Sequence, residues 1–225
     1  MTRQTILRID ASARLGISGR DLHGSHTRRL SQRFIDQWTS LRPGDQILRR
    51  DVAVQAPAFV TEDWIAAAFT PIQSRMPAMH ERLAESDALV DELLAADLIV
   101  IGVPMYNFGM PATLKAYIDN IVRVGRTFGF DRHRTGEPYW PMLTDMGKRL
   151  VLLSSRGDHG YSEGGRLAQA NHVEPAVSAA FAYIGITDVA SAAVEFDEFG
   201  DERLADALAQ AESRVDDLVK ALAQH

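Results

Sequence analysis

The chain has 225 residues, 46% hydrophobic and 24% charged, with a formal net charge of −6. That balance suits one globular domain over residues 1–225 with an ample core, and the acidic excess argues against a nucleic-acid binder, which gains affinity by neutralising phosphates. With no cysteine, disulfides, thiolate metal ligands and a cysteine nucleophile are excluded, so redox chemistry, if present, must come from a bound cofactor.

Met1–Ala13 has no long apolar core behind Arg3, so it does not read as a secretory signal. No apolar run approaches the ~20 residues a membrane helix needs, and a cytoplasmic protein with no membrane partner is expected. Thr5–Asp10 reads as a first strand, followed by a small-residue loop over 11–24 punctuated by Gly16, Gly19 and Gly24. Ser25-His26-Thr27 precedes a helical stripe of Leu30, Phe34, Ile35 and Trp38. Gln46–Asp51 is a second strand. Residues 52–80 mix Ala and Pro with aromatics and read as an insertion with one or two short helices. Leu83–Ala95 is a helix leading into the uncharged run Leu98–Val103, which suits a strand buried on both faces.

The turn Pro104-Met105-Tyr106-Asn107-Phe108-Gly109 follows. Beyond it, Leu114, Tyr117, Ile118, Ile121 and Val122 lie on one helical face, with Pro111 suited to the first turn and Gly125 to the end. Arg126–Met146 reads as a loop, Arg149–Ser154 as a strand, and Ser155–Asn171 as a glycine-rich connection. Pro175–Tyr183 is a helix, Val189–Val194 a last strand and Asp201–Ala223 a last helix. Strands and helices alternate to five strands, which predicts an α/β fold: a doubly wound parallel sheet with helices on both faces.

Three unusual loops, 11–27, 104–110 and 154–165, each follow a strand. In the flavodoxin-like order 2-1-3-4-5, parallel strands bring all three to one crevice at the topological switch point. Ser25, His26 and Thr27 at a helix start make an anion site from hydroxyls, free N–H groups and the helix dipole; Ser25 reads equally as a plain N-cap. Ser12 adds a hydroxyl. Pro104, Met105, Tyr106, Asn107 and Phe108 form either the wall of a flat pocket or a packed turn. In Ser154-Ser155-Arg156-Gly157-Asp158, Arg156 offers fixed donors to a carbonyl or phosphate and Gly157 permits close approach; an ordinary turn with a surface arginine is the other reading. There is no Gly-Lys-Ser/Thr and no Gly-x-Gly-x-x-Gly after the first strand, which leaves a mononucleotide with one terminal phosphate. No metal site is expected, because no His and carboxylate cluster has ligand spacing. A serine hydrolase elbow is absent.

Met105-Tyr106-Asn107-Phe108, then Leu114-Lys115-x-Tyr117-x-Asp119, resembles the FMN-dependent NADH-azoreductases, also called FMN-dependent NADH:quinone oxidoreductases. Ser154-Ser155-Arg156-Gly157 and Phe181-x-x-Ile184-Gly185-Ile186-Thr187-Asp188 extend the similarity over nearly the whole chain. The resemblance implies a flavodoxin-like homodimer with FMN at the subunit interface. It implies that the FMN phosphate lies near Ser12 and Ser25–Thr27, and the ring against Pro104–Phe108 and Ser155–Asp158. It also implies ping-pong reduction by NADH or NADPH, then of a quinone or azo compound.

No catalytic side chain is required for such chemistry, because the cofactor carries it. Phe128 and Phe130, with Tyr106, are candidates for shaping the substrate slot, or equally core aromatics. The chain departs from the family pattern in a longer first loop (Ile17–His23), a long Arg132–Pro141 segment, and Asp158 where a glycine is expected. The alternative function is a flavodoxin-type electron carrier that binds FMN without oxidising NAD(P)H itself.

Overall fold

The computed structural model describes residues 3–224; Met1 and Thr2, part of the N-terminal stretch weighed above as a signal, lie outside them. Five strands form one parallel sheet: β1 (Thr5–Asp10), β2 (Gln46–Asp51), β3 (Leu98–Pro104), β6 (Arg149–Ser155) and β7 (Asp188–Val194), in the order β2-β1-β3-β6-β7. Counted among themselves, these strands have the predicted order 2-1-3-4-5. The register aligns Ile6 with Leu98, and Leu98 with Arg149, so β1, β3 and β6 run in step toward one edge.

β3 is buried at every position. Its alternate side chains feed two separate cores, as a two-residue period requires. Ile99, Ile101 and Val103 join Leu7, Ile9, Leu150 and Leu152 beneath three helices: α3 (Pro77–Ala95), α4 (Ala112–Ile121) and α5 (Glu174–Ile184). Leu98 and Val100 join Ile6, Val151 and Leu153 beneath α1 (His26–Leu41) and α6 (Glu202–Leu222). Each fully buried Leu or Ile contributes about 1.5–3 kcal/mol relative to exposure, so β3 is the strand both layers depend on. The stripe on α1 is buried as read: Leu30, Phe34, Ile35 and Trp38.

The 52–80 region holds the short helix α2 (Glu62–Phe69), as read, then a 3-10 turn at Ile72–Ser74 and the first turn of α3. Two segments differ from the sequence reading. α3 begins at Pro77, six residues before the expected Leu83, because Pro at N1 pre-sets the first turn while the early residues face solvent and carry no apolar pattern. Residues 126–146 are not all loop: β4 (Phe128–Phe130) and β5 (Tyr139–Pro141) pair antiparallel. Three-residue strands are too short for alternation to show. Pro111 stands just before α4 as its N-cap, and the helix ends at Ile121, ahead of Gly125.

Candidate functional site

The carboxyl ends of β1, β3, β6 and β7 open onto one cleft of about 160 Å³. From the three expected loops, Ser12, Ser25, His26, Pro104, Met105, Tyr106, Ser155 and Gly157 line it. A fourth loop, after β7, adds Asp197 and Glu198, and Arg14 completes the wall. The loops are tied to one another. Ala13 N donates to the Tyr106 hydroxyl at 3.1 Å, and Met105 N to Ser155 O at 2.8 Å. Asp197 N and Glu198 N donate to the carbonyls of Arg156 and Gly157 at 3.1 and 3.2 Å. A larger groove, about 410 Å³, lies outside α1. It holds none of the expected residues, and Arg29 and Arg33 in its wall are already paired with Glu212 and Asp216.

At one end of the cleft sits the N-terminus of α1. Ser25 is its N-cap, in extended backbone, and its Oγ accepts from Arg28 N at 3.3 Å. Ser25 Oγ also lies 3.0 Å from Thr27 Oγ1, which is fully buried. The N–H groups of His26 and Thr27 have no acceptor among the described residues. Two unpaired donors at the positive end of a 16-residue helix, flanked by two serine hydroxyls, form an anion cradle. The His26 ring is held on both sides, by Ser18 Oγ at 2.9 Å and by Asp197 at 3.3 Å. Burial opposes ionisation of Asp197, but the His26 hydrogen bond and the nearby His26 and Arg14 charges outweigh it and hold its pKa below the ordinary value.

At the other end, Tyr106 and Gly109 exchange backbone hydrogen bonds at 2.8 and 3.1 Å across Asn107 and Phe108. Those two residues have φ of 48° and 71°, the type I′ hairpin geometry. Asn tolerates that region; Phe does not, and holding Phe108 there stores strain of about 1 kcal/mol or more. Phe108 is nonetheless 52% exposed, so core packing does not explain it. The N–H groups of Asn107 and Phe108, and those of Gly157 and Asp158 across the cleft, have no acceptor among the described residues.

Two arginines lie beneath the loops. Arg28 donates to the carbonyls of Ser12 and Arg14 at 2.9 and 2.8 Å and pairs with Asp51 at 2.6 Å. Burial raises the Asp51 pKa, but the Arg28 hydrogen bond and charge outweigh it, and the net shift is downward. Arg156 was expected to offer its side chain to a ligand. It is 4% exposed and turned inward, bound to Glu174 and to Glu195, the latter at 3.0 Å. The Asp158 carboxylate is likewise engaged, by Arg166 at 2.5 Å.

The chain matches the family model described as having the flavodoxin-like fold over residues 4–219. It is 41% identical over 218 residues to FMN-dependent NADH:quinone oxidoreductase 2 of Idiomarina loihiensis, spanning 97% of this chain and 90% of that protein. The chain belongs to the FMN-dependent NADH:quinone oxidoreductase family. A second member of that family, FMN-dependent NAD(P)H:quinone oxidoreductase 1 of Pseudomonas aeruginosa, is 42% identical over 193 residues, 85% of this chain and 90% of its own length. The fold superposes, with a TM-score of 0.83 and 18% identity, on an FMN-dependent NADH-azoreductase from Bacillus anthracis solved in complex with FMN, covering 98% of this chain and 99% of that one.

Within this oxidoreductase chain some expected residues do not line the cleft: Thr27, Asn107, Phe108, Arg156 and Asp158 belong to its loops without forming its wall, and Phe128 and Phe130 stand off it. Phe128 packs among Tyr139 and Tyr183, with ring centroids 6.2 and 5.2 Å away. Phe130 lines a separate apolar groove with Phe69, Ile72 and Val124. Sequence reasoning missed Arg14, Asp197 and Glu198. It also missed Arg28, although a signal existed: Arg28 falls in register with Ser31, Ile35 and Trp38 on the buried face of α1. Glu198 packs on Gly157, where a Cβ would stand 2.5 Å from its carboxylate.

Proposed function

We propose that the chain works as one domain that binds FMN and moves electrons from NADH or NADPH to a quinone or an azo compound. The observation that carries this reading is the placement of unpaired donors at both ends of one cleft. The N–H groups of His26 and Thr27, with the Ser12 and Ser25 hydroxyls, suit a phosphate monoester. The N–H groups of Asn107, Phe108, Gly157 and Asp158 suit the polar edge of a flat heterocycle. Pro104, Met105 and Tyr106 supply flat apolar contact between them. The residues present therefore fit FMN without a lysine or a metal.

When bound, FMN supplies the two-electron chemistry linking nicotinamide to acceptor. The chain's part is to bind, to orient and to exclude water. The α1 terminus would hold the phosphate, Phe108 and Tyr106 would wall the flat group, and the N–H groups of Gly157 and Asp158 would offset negative charge developing on it. The curated relatives act on quinones by name, and the long walls at α2 and at the β4–β5 hairpin exceed what an electron carrier needs. The reading includes a homodimer, whose interface would cover exposed side chains such as Phe59, Ile72, Met76, Tyr139 and Tyr183. It includes a cytoplasmic setting; among the described residues no helix is long and apolar enough to cross a membrane. Mixing the yellow protein with NADH without air tests the enzyme reading. Rapid bleaching, restored by a quinone, is expected. Protein that stays yellow leaves the carrier reading, and colourless protein that takes up no FMN defeats both.

A further inference from the structure

We propose that Arg156 is a positioning residue: its buried guanidinium clamps the loop after β6 so that the N–H groups of Gly157 and Asp158 face the flavin, and it does not act on the ring by charge. The proposal rests on the FMN reading above. The guanidinium joins three segments. Glu174 opens α5 and accepts both from Arg156 and from Ser154 Oγ at 2.5 Å. Glu195 follows β7; its carboxylate accepts from Arg156 at 3.0 Å, from Gly160 N at 2.9 Å and from Tyr161 N at 3.0 Å. The Tyr161 ring centroid lies 5.8 Å from the guanidinium carbon. Arg156 N and O are also spent, on Val194 O and Asp197 N. The backbone holds Arg156 at both its N–H and its carbonyl and presents its next two N–H groups unpaired.

The sign of the charge supports the same conclusion. One guanidinium is set against two carboxylates. Burial opposes ionisation of Glu174, but Arg156 and the Ser154 hydrogen bond outweigh it and hold its pKa down. A cluster with excess negative charge repels extra electrons on a nearby ring, so a direct charge role for Arg156 would need the carboxylates absent. Only a planar fork reaches both glutamates at once; an ammonium does not.

Two substitutions of opposite charge separate the roles. Arg156→Met removes a positive charge and Glu195→Gln a negative one, and both break the clamp. We expect both to weaken FMN and riboflavin by the same factor, about tenfold, the size of one misaligned hydrogen bond. Both should shift the flavin midpoint potential in the same direction. Amide exchange at Gly160 and Tyr161 should quicken in the flavin-free protein. Potentials that move in opposite directions, or an FMN loss exceeding the riboflavin loss in Arg156→Met, overturn the proposal. Should Arg156→Met not fold, Arg156→Lys keeps the charge without the fork, and unchanged flavin affinity there is equally fatal. A wild-type protein that binds no flavin refutes the FMN reading instead, while the exchange rates still test the clamp.

Discussion

Each end of the cleft rests on a buried arginine, and the two are wired differently. Arg28 reaches the loop it supports directly, through the carbonyls of Ser12 and Arg14, with Asp51 as its nearest counter-charge at 2.6 Å and Asp10 at 4.0 Å. Arg156 reaches its loop through intermediaries, since Glu195 relays the contact to Gly160 N and Tyr161 N. The end proposed for the phosphate is thus a helix terminus with one brace, and most of its donors follow from local α-helical geometry. The ring end has no helix terminus. Its donors depend on a strained turn and on a loop held by distant carboxylates. Neither Arg28 nor Arg156 lines the cleft; on the proposed reading both serve as scaffolding, and backbone N–H groups supply most of the donors.

Arg28→Met breaks the brace at the phosphate end and leaves Asp51 unpaired. Loss of a buried partner costs about 3–5 kcal/mol, so thermal unfolding should drop by about 6–20 °C, and calorimetry reads it directly. A change under about 2 °C would mean that the helix terminus needs no brace. Ser25→Ala removes a cap and a hydroxyl. It should cost about 1 kcal/mol of stability and weaken FMN by about tenfold while leaving riboflavin nearly unchanged; equal losses for the two flavins contradict the phosphate assignment.

Phe108→Gly probes the ring end with the opposite sign on stability. Relief of its positive φ should add about 1 kcal/mol and raise the melting temperature by about 2–4 °C, while the turnover of quinone falls. A melting temperature that drops would show that Phe108 packs more than it strains. The smallest effect is on pH. Asp51, Asp197 and Glu174 all have folded pKa values below their ordinary ones. Groups of that kind contribute stability above the unfolded value, about 4, and lose it as pH falls through the folded value. Stability should therefore hold at neutral pH and decline below about pH 4, with a shallower decline in Asp197→Asn. Denaturant midpoints measured from pH 7 downward check the slope.

Much of the ladder was legible. β2 matched its expected bounds, and β3 and β6 each gained one residue; in β3 an uncharged run between turn signals leaves little choice of state. Ser25 was read both as a cap and as a phosphate ligand; the structure shows the cap, with the next two N–H groups left free. The β4–β5 hairpin was not legible: strands this short show no period, and Gly129 reveals its purpose only where the Trp140 ring lies across it. The Arg156 side chain was the harder case. Its partners stand 18 and 39 residues away, and nothing local tells an inward guanidinium from an outward one.

The order of residues alone determined a parallel α/β ladder, a helix capped by a serine and long loops after the first, third and fourth sheet strands, since those depend on periodicity and on backbone chemistry within a few residues. Only the packed molecule decided which groups face the cleft. Folding brought Asp197 to His26, Arg28 to the Ser12 loop and Glu195 to Arg156. Such pairings are set by the alignment of strands far apart in the chain, where burial leaves a charge no alternative to the partner within reach.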